Sequence, residues 1–213
     1  MRKVFQIILQ IIFLALFAFL VITEKVQLWM AIFVLGLVLS LFFSRLYCGW
    51  ACPINALTGS VAWLKKKLKI KNARIPTVLK KPAIRYIVLG LFVAMFAFTM
   101  ISGKKLPVLP ALLIIGVVLT LFFPEELWHR YLCPYGTLFH LISRKPFLSM
   151  RIDQNACTNC GACSRVCPAA AIDKKAENHV IKEDACLVCF DCSPICKQKA
   201  ISYRKRKNNI SHV

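Results

Sequence analysis

The sequence has few acidic residues and contains none of the short motifs that mark nucleotide-dependent enzymes or hydrolases. Its 213 residues include nine aspartates and glutamates against 29 lysines and arginines, which gives a formal net charge of +20. It has no glycine-rich phosphate loop, no G-x-G-x-x-G run and no Ser/His/Asp arrangement. These absences argue against an enzyme whose own side chains make and break bonds.

The basic and the apolar residues occupy separate parts of the chain. Hydrophobic residues make up 58% of the sequence, and the mean hydropathy of +0.63 is high for a soluble globular protein. The apolar residues form long runs, and the lysines and arginines lie between and after them. This pattern predicts an α-helical membrane protein whose basic segments contact anionic lipid headgroups. Membrane lipid is therefore an expected partner, and nucleic acid is not.

Four apolar stretches are long enough to cross a bilayer as helices, which requires about 20 residues for roughly 30 Å of hydrocarbon. They are Val4–Thr23, Gln27–Ser44, Ala83–Ile101 and Leu106–Phe123. None of them contains an acidic residue, and their one basic residue is Arg85, close enough to a span end to reach the interface. The sequence thus predicts four transmembrane helices.

The loops between these stretches differ in positive charge, which predicts the orientation in the membrane. Short loops on the cytoplasmic side carry an excess of lysine and arginine. Segment 45–82 contains nine such residues, whereas loop 24–26 contains one and loop 102–105 contains two. We therefore predict a multi-pass protein of the cell inner (cytoplasmic) membrane with both termini in the cytoplasm.

Eight of the eleven cysteines form two runs with the spacing C-x₂-C-x₂-C-x₃-C, which is that of bacterial two-cluster ferredoxins. In this arrangement the fourth cysteine of each run ligates the other cluster. One [4Fe–4S] cluster is predicted on Cys157, Cys160, Cys163 and Cys196, and a second on Cys186, Cys189, Cys192 and Cys167. Two alternatives are disfavoured. A disulfide framework needs an oxidising compartment, and these cysteines are predicted to be cytoplasmic. Independent zinc sites are a poor fit to two interlocked cysteine runs.

This part of the chain resembles bacterial-type 2[4Fe–4S] ferredoxins. The resemblance implies a small α+β ferredoxin-like domain at residues 151–203, followed by a basic tail at 204–213, with Lys197 where a proline usually follows the last cysteine. The preceding residues 1–150 are assigned to the membrane domain.

The three other cysteines lie in two matching settings after the second and fourth spans. The first setting is Cys48-Gly-Trp-Ala-Cys52-Pro, and the second is His129-Arg-Tyr-Leu-Cys133-Pro. The two settings are offset by 81 residues, which predicts a tandem two-helix repeat whose motifs face each other at the cytoplasmic face. Residues four apart share one face of a helix, so each pair can point at one metal.

Three explanations of Cys48, Cys52, His129 and Cys133 stay open. In the first explanation these four side chains hold a third iron–sulfur centre with one imidazole ligand, and histidine ligation of such clusters has precedent. Alternatively they form a thiol/disulfide or transient copper site, because thiolates select soft metals. In the third explanation the cysteines simply lie near the interface and the histidine is a polar cap.

The two C-P motifs joined to a two-cluster ferredoxin resemble the NapH/NosR/CcoG-type membrane iron–sulfur proteins, which usually have cysteine where this chain has His129. The resemblance implies an electron-transfer subunit, rather than a stand-alone enzyme, that relays single electrons between a membrane donor or acceptor and a cytosolic partner subunit. The alternatives are a quinol dehydrogenase subunit, which would bind quinone, and a metal-cofactor maturation or reductase protein.

The other aromatic and histidine residues do not require a functional role to explain their positions. An aromatic belt at the membrane interface accounts for Trp50, Trp63, Trp128, Tyr131 and Tyr135 without a quinone pocket. His140 and His179 are predicted to be surface residues.

Overall fold

Residues 2–102, 107–175 and 178–206 are described in the computed structural model of the protein, apart from the side chain of Met100. Lys104 and Lys105, which contribute to the orientation argument, lie outside these residues. So do Leu106 at the start of the fourth predicted span and residues 207–213 of the predicted tail.

The first part of the described chain is helical. Its helices are α1 (Arg2–Ile22), α2 (Gln27–Phe43), α3 (Leu46–Trp50), α4 (Pro53–Lys67), α5 (Pro82–Ser102), α6 (Val108–Phe122) and α7 (Pro134–Ile142). A 3-10 turn at Thr77–Lys80 precedes α5, and a π-helical segment at Leu127–Leu132 precedes α7.

Helices α1, α2, α5 and α6 occupy the four predicted spans, but they differ in length. Within the described residues, α1 and the Pro82–Thr99 part of α5 are long and apolar enough, by length and composition, to cross a membrane. Helices α2 and α6 are apolar but have 17 and 15 residues. Helix α2 ends where Ser44 turns to a φ of 60°, and α6 ends where the residue before Pro124 becomes extended.

The two halves of the helical part pack through the helices that follow their motifs. Helix α4 packs on α1 and α6, and α7 packs on α5 and α2. The buried Lys65 of α4 donates from Nζ to the carbonyl of Thr120 at 2.8 Å, near the end of α6, where a positive charge is favoured. On the other side, the ring of Phe139 in α7 stacks on Tyr47 with centroids 5.4 Å apart. The helix that follows each motif thus contacts the second span of the other half, α4 with α6 and α7 with α2.

A small domain with two antiparallel strand pairs follows. Its elements are β1 (Leu148–Ile152), α8 (Ala162–Arg165), β2 (Ile172–Lys174), β3 (His179–Ile181) and β4 (Ile201–Lys205). Strand β1 pairs with β4 from Leu148↔Lys205 to Ile152↔Ile201, and β2 pairs with β3. The paired region therefore begins before residue 151 and includes Arg204 and Lys205 of the predicted tail.

Several polar and aromatic residues predicted at the surface or interface are buried. His179 is 4% exposed and lies beneath the backbone of Gly161, so its assignment to the surface is wrong. His140 is partly buried, and its Nδ1 lies 3.2 Å from a carboxylate oxygen of Asp184. Trp128 and Tyr135 are also buried, and only Trp63 has the exposure expected of an interfacial belt. Contacts between residues distant in the sequence, which no local pattern reveals, account for these differences. Trp128 packs on Gly116 of α6, and the ring of Tyr135 packs on that of Phe33.

Candidate iron–sulfur centres

A cavity in the small domain lies beside the first three cysteines of the second run. The four cysteines that line it are Cys167, Cys186, Cys189 and Cys192. Most of the remaining wall is apolar and comes from residues such as Ala171, Ile172 and Leu187. The cavity thus joins one cysteine of the first run to three of the second, and these are the four ligands predicted for the second cluster.

The thiols around this cavity are close enough to influence one another. Burial raises the pKa of Cys186 to about 12, and the neighbouring Cys167 adds to the shift. The pKa of Cys192 is also raised to about 12, by burial and then by Cys186 and Cys167. Several thiolates in one apolar cavity repel each other unless a cationic metal core balances their charge. The residues present therefore fit an iron–sulfur cluster.

The first run is more exposed. Cys160 is exposed to solvent and Cys157 is partly buried, whereas Cys163 is buried. Burial raises the pKa of Cys163, and the charges of Cys157 and Cys160 add to this shift, so the three thiols are neighbours. Cys196, the predicted fourth ligand, is partly buried.

The two runs have the same backbone conformation. Asn159 and Val188 have φ values of 54° and 53°, and Gly161 and Phe190 have 71° and 60°. These left-handed positions flank the second cysteine of each run and coil the backbone so that three thiols share one side. Such a conformation costs about 1–3 kcal/mol at a non-glycine residue, and Val188 is β-branched as well. Cluster ligation supplies the free energy that offsets this strain.

The segments Cys48–Pro53 and His129–Pro134, here called the first and second membrane motifs, also have similar geometry. Cys52 and Cys133 each precede the proline that begins α4 or α7, with φ and ψ of −73° and 118° in one and −74° and 111° in the other. Each cysteine N–H donates to the carbonyl five residues earlier, Tyr47 at 3.0 Å and Trp128 at 2.8 Å. The offset of 81 residues seen in the sequence therefore holds for the backbone hydrogen bonds.

The three thiols of these motifs, those of Cys48, Cys52 and Cys133, lie close to one another. Burial raises the pKa of Cys52 above its usual range, and the charges of Cys48 and Cys133 raise it further. The Cys133 sulfur accepts a hydrogen bond from the Gly136 N–H at 3.3 Å, in the first turn of α7. A helix N-terminus stabilises a thiolate, so this geometry favours the ligating form of the cysteine.

His129 is buried near the same site but faces a different neighbour. It lies in the π-helical segment, and its Nε2 is 3.4 Å from the hydroxyl of Thr58 on α4. Burial lowers the pKa of His129 to about 3, so the imidazole is neutral, as a metal ligand must be. The structure thus brings three thiols together and places the imidazole against a hydroxyl.

No three His, Cys, Asp or Glu side chains in the described part of the chain are spaced to share a single metal ion. In a cubane each thiolate binds a different iron, so its ligands stand further apart than those of a single ion.

The first membrane motif is in direct contact with the ligand loop of the second cysteine run. The indole N–H of Trp50 donates to the carbonyl of Val188 at 3.0 Å, and Ser44 Oγ donates to the carbonyl of Glu183 at 2.7 Å. Gly49 packs so tightly that a Cβ on it would lie 2.1 Å from the carbonyl oxygen of Leu187. No sequence signal predicted this contact, because its residues are about 140 positions apart.

Comparisons with known proteins agree with this arrangement. A family of 4Fe-4S binding domains matches the chain twice, at residues 25–71 and 106–153, and a 4Fe-4S dicluster domain matches residues 149–197. The ferredoxin-type protein NapH of Haemophilus influenzae is 30% identical over 148 residues, which are 61% of this chain and 49% of NapH. The chain is a NapH-type iron–sulfur protein with a ferredoxin domain.

Other relatives have related names. The methylamine utilization ferredoxin-type protein MauN of Methylobacillus flagellatus is 29% identical over 150 residues, covering 60% of this chain and 50% of MauN. The putative electron transport protein YccM of Escherichia coli is 26% identical over 163 residues, covering 66% of this chain and 46% of YccM. The chain therefore spans about half the length of these curated relatives. No solved structure matches it.

These matches bear on two of the predictions. The dicluster domain covers all eight ferredoxin cysteines and confirms that the chain binds [4Fe–4S] clusters. The two segments matched by the 4Fe-4S binding domain begin 81 residues apart, which is the offset of the predicted repeat. Each of these segments contains one C-P motif.

Proposed function

We propose that this protein is a membrane-bound electron-transfer subunit that relays single electrons between a membrane donor or acceptor and a cytosolic redox partner. The observation that carries the proposal is the contact between the first membrane motif and the loop Leu187–Val188, which lies between two ligands of the second cluster. Clusters supply one-electron chemistry when bound, and the protein fixes their positions and potentials. The names of the relatives, two ferredoxin-type proteins and one putative electron transport protein, support this role.

The proposal includes four membrane spans, α1, α2, α5 and α6. Large apolar side chains on their outer faces are exposed, as at Ile8, Leu35, Leu91 and Ile114, and an exposed apolar surface of this extent is typical of contact with lipid. At about 1.5 Å per residue, α2 and α6 are roughly 25 and 22 Å long. Local thinning of the bilayer or a short extension at the helix ends accommodates this difference.

Contacts at the N-terminus support a cytoplasmic location for both ends of the described chain. Lys3 forms an ion pair with Asp191, and the Arg2 guanidinium lies 5.9 Å from the centroid of the Phe190 ring. The start of α1 is therefore on the same side as the ferredoxin domain. The basic segment between α4 and α5 supports a cytoplasmic location for that side.

The order of the sites suggests a route through the protein. The first membrane motif contacts the loop of the second cluster site, and the first cluster site carries the exposed Cys160. A soluble partner therefore meets the first cluster. The test is an anaerobic EPR-monitored redox titration of the loaded protein in lipid nanodiscs. Reversible one-electron cycling of both clusters is expected, and clusters that decompose or do not cycle would contradict a relay.

We further propose a third iron–sulfur centre on Cys48, Cys52 and Cys133, with His129 as its fourth ligand. Replacement of Cys48 or His129 by alanine should then lower the iron content and remove one EPR signal while both ferredoxin signals stay. Thr58→Val is the matched control, because it removes the hydroxyl beside the imidazole but no ligand. Iron content and EPR spectra unchanged in both alanine variants would eliminate this centre.

A quinol dehydrogenase is the second candidate function, and a second cavity favours it. This space lies beside the membrane motifs, and aromatic residues such as Trp29, Phe33 and Tyr135 line it together with Cys52. Aromatic side chains next to a candidate redox centre suit stacking on a quinone ring, and they must move apart to admit it. No acidic side chain lines the cavity to accept protons, which counts against quinol oxidation.

Direct reduction separates the two candidates. Under the dehydrogenase hypothesis, menaquinol or ubiquinol reduces the clusters of the isolated protein, and the bulkier Ile54→Trp in the cavity wall slows this reduction at least tenfold. Chemical reduction by dithionite is the control, since it does not require the cavity. An isolated protein that dithionite reduces and quinol does not is a relay that depends on its partners.

A further inference from the structure

Arg45 is a buried cation at the junction of the two domains. It follows the end of α2 and is 1% exposed, which is exceptional for an arginine. One guanidinium nitrogen, Nη1, donates to the carbonyl of Ala185 at 3.3 Å, and Nε is buried without a hydrogen-bond partner. Among the described residues no carboxylate forms an ion pair with it. Its positive charge therefore requires another source of compensation.

The groups that face Arg45 come from both domains. Its Nη1 reaches the carbonyl of the residue before Cys186, and its Nη2 lies against Gly136, whose N–H donates to the Cys133 sulfur. The backbone carbonyl of Arg45 accepts from the N–H of Cys48 at 3.1 Å. The imidazoles of His129 and His140 are also near: burial lowers the pKa of both, and the positive charge of Arg45 for His129, and of Arg85 and then Arg45 for His140, lowers it further. The surrounding anion-forming groups are thus thiols from both proposed centres.

The packing around Arg45 is built to admit the side chain. A Cβ on Gly136 would lie 2.6 Å from Nη2 of Arg45, so only a glycine leaves room for the guanidinium at this place. Gly136 also donates its N–H to the Cys133 sulfur. The same turn of α7 therefore holds both the cation and one of the thiols.

The burial of Arg45 favours an anion nearby. An unpaired charge is strongly destabilised when it is moved out of water, and a buried group of opposite charge beside it offsets this effect. A deprotonated thiol or an anionic cluster ligated through Cys186 provides the missing negative charge. The potential of a cluster depends on nearby charge, since a positive neighbour favours the state that holds one more electron.

We propose that Arg45 is the shared counter-charge of the second cluster and the membrane thiols, a positioning residue that keeps the two centres in contact and makes the second cluster easier to reduce. The inference depends on the ligand set proposed for the second cluster. Cys189→Ser identifies the EPR signal of that cluster independently, so an error in the ligand set is distinguishable from an error about Arg45.

The test compares midpoint potentials in redox titrations of the loaded full-length protein. Arg45→Gln removes the charge and should lower the midpoint potential of the second cluster by at least 59 mV. For one electron this corresponds to a tenfold change in the reduction equilibrium. The first cluster should move much less. Arg45→Lys keeps the charge and should restore most of the shift. Arg85→Gln is the matched control. It removes a second, partly buried arginine whose guanidinium donates to the hydroxyl of Thr137 rather than to a cluster loop.

Each other outcome overturns the inference. It is wrong if Arg45→Gln loads both clusters at unchanged potentials, if both clusters shift equally, or if Arg85→Gln produces the same shift. If Arg45→Gln fails to load the second cluster, iron content and the EPR signal of Arg45→Lys decide. A lysine variant that retains the second cluster supports the counter-charge, and one that loses it shows that the arginine matters for shape rather than charge.

Discussion

Replacing Cys189 with alanine is expected to remove the second [4Fe–4S] cluster while the first remains. Cys189 lines the cavity in the ferredoxin domain together with Cys167, Cys186 and Cys192, and its loss leaves the cubane with three protein ligands. Metal ligation supplies folding energy to small metal domains, on the order of 10 kcal/mol for structural zinc sites. We therefore also expect local unfolding of the loop around Val188, where the strained left-handed conformation loses its compensation. Iron and sulfide analysis, EPR and circular dichroism of the anaerobically purified protein measure these effects.

Two further variants make this prediction specific. Cys167 belongs to the first run but lines the same cavity, so Cys167→Ala should remove the same EPR signal as Cys189→Ala. The exposed Cys160 belongs to the other site, and Cys160→Ala should remove the other signal. If Cys167→Ala instead behaves like Cys160→Ala, each run holds its own cluster and the crossed ligand assignment is wrong.

The sequence predicted those features that depend on residues close together in the chain. The cysteine spacing predicted the cluster chemistry, because three thiols on one tight loop must face the same side. The prolines after Cys52 and Cys133 begin α4 and α7, since proline is well suited to the first position of a helix, although these two helix starts were not predicted from the sequence. The offset of 81 residues predicted a duplication that the repeated hydrogen bonds and the double domain match now support.

The features that escaped prediction depend on contacts between distant parts of the chain. Arg45 is buried where the helical part meets the ferredoxin domain, Trp128 where it packs on Gly116 of α6, and His179 where it lies beneath Gly161. The sequence shows these residues only as polar or aromatic positions, where exposure is the ordinary expectation. Similarly, the repeat aligned His129 with Cys48, but a hydroxyl from α4 occupies the place beside its imidazole. A ligand role for His129 is therefore tested by the iron content and EPR spectra of His129→Ala.

Replacing Gly49 with alanine is expected to separate the ferredoxin domain from the first membrane motif. The added methyl group would lie 2.1 Å from the carbonyl oxygen of Leu187, and the clashing atom is backbone rather than a flexible side chain. Relief requires the loop to move, which stretches the 3.0 Å hydrogen bond from Trp50 to Val188. Overpacking of this kind costs about 1–3 kcal/mol. In a chain of this size, that corresponds to a fall in Tm of about 2–12 °C.

The loss of contact should be visible apart from the loss of stability. In Gly49→Ala, the amides around Leu187 should exchange hydrogen faster and the ferredoxin domain should become more sensitive to proteolysis, while both clusters stay loaded. Gly59→Ala is the matched control, because a Cβ on Gly59 of α4 meets nothing within 4 Å. Alanine is the better helix former by about 1 kcal/mol, so this control should be neutral or slightly stabilising. If Gly49→Ala shows the same Tm, exchange and proteolysis as Gly59→Ala, the two domains do not meet at Gly49, and electrons reach the second cluster by a route other than the first motif.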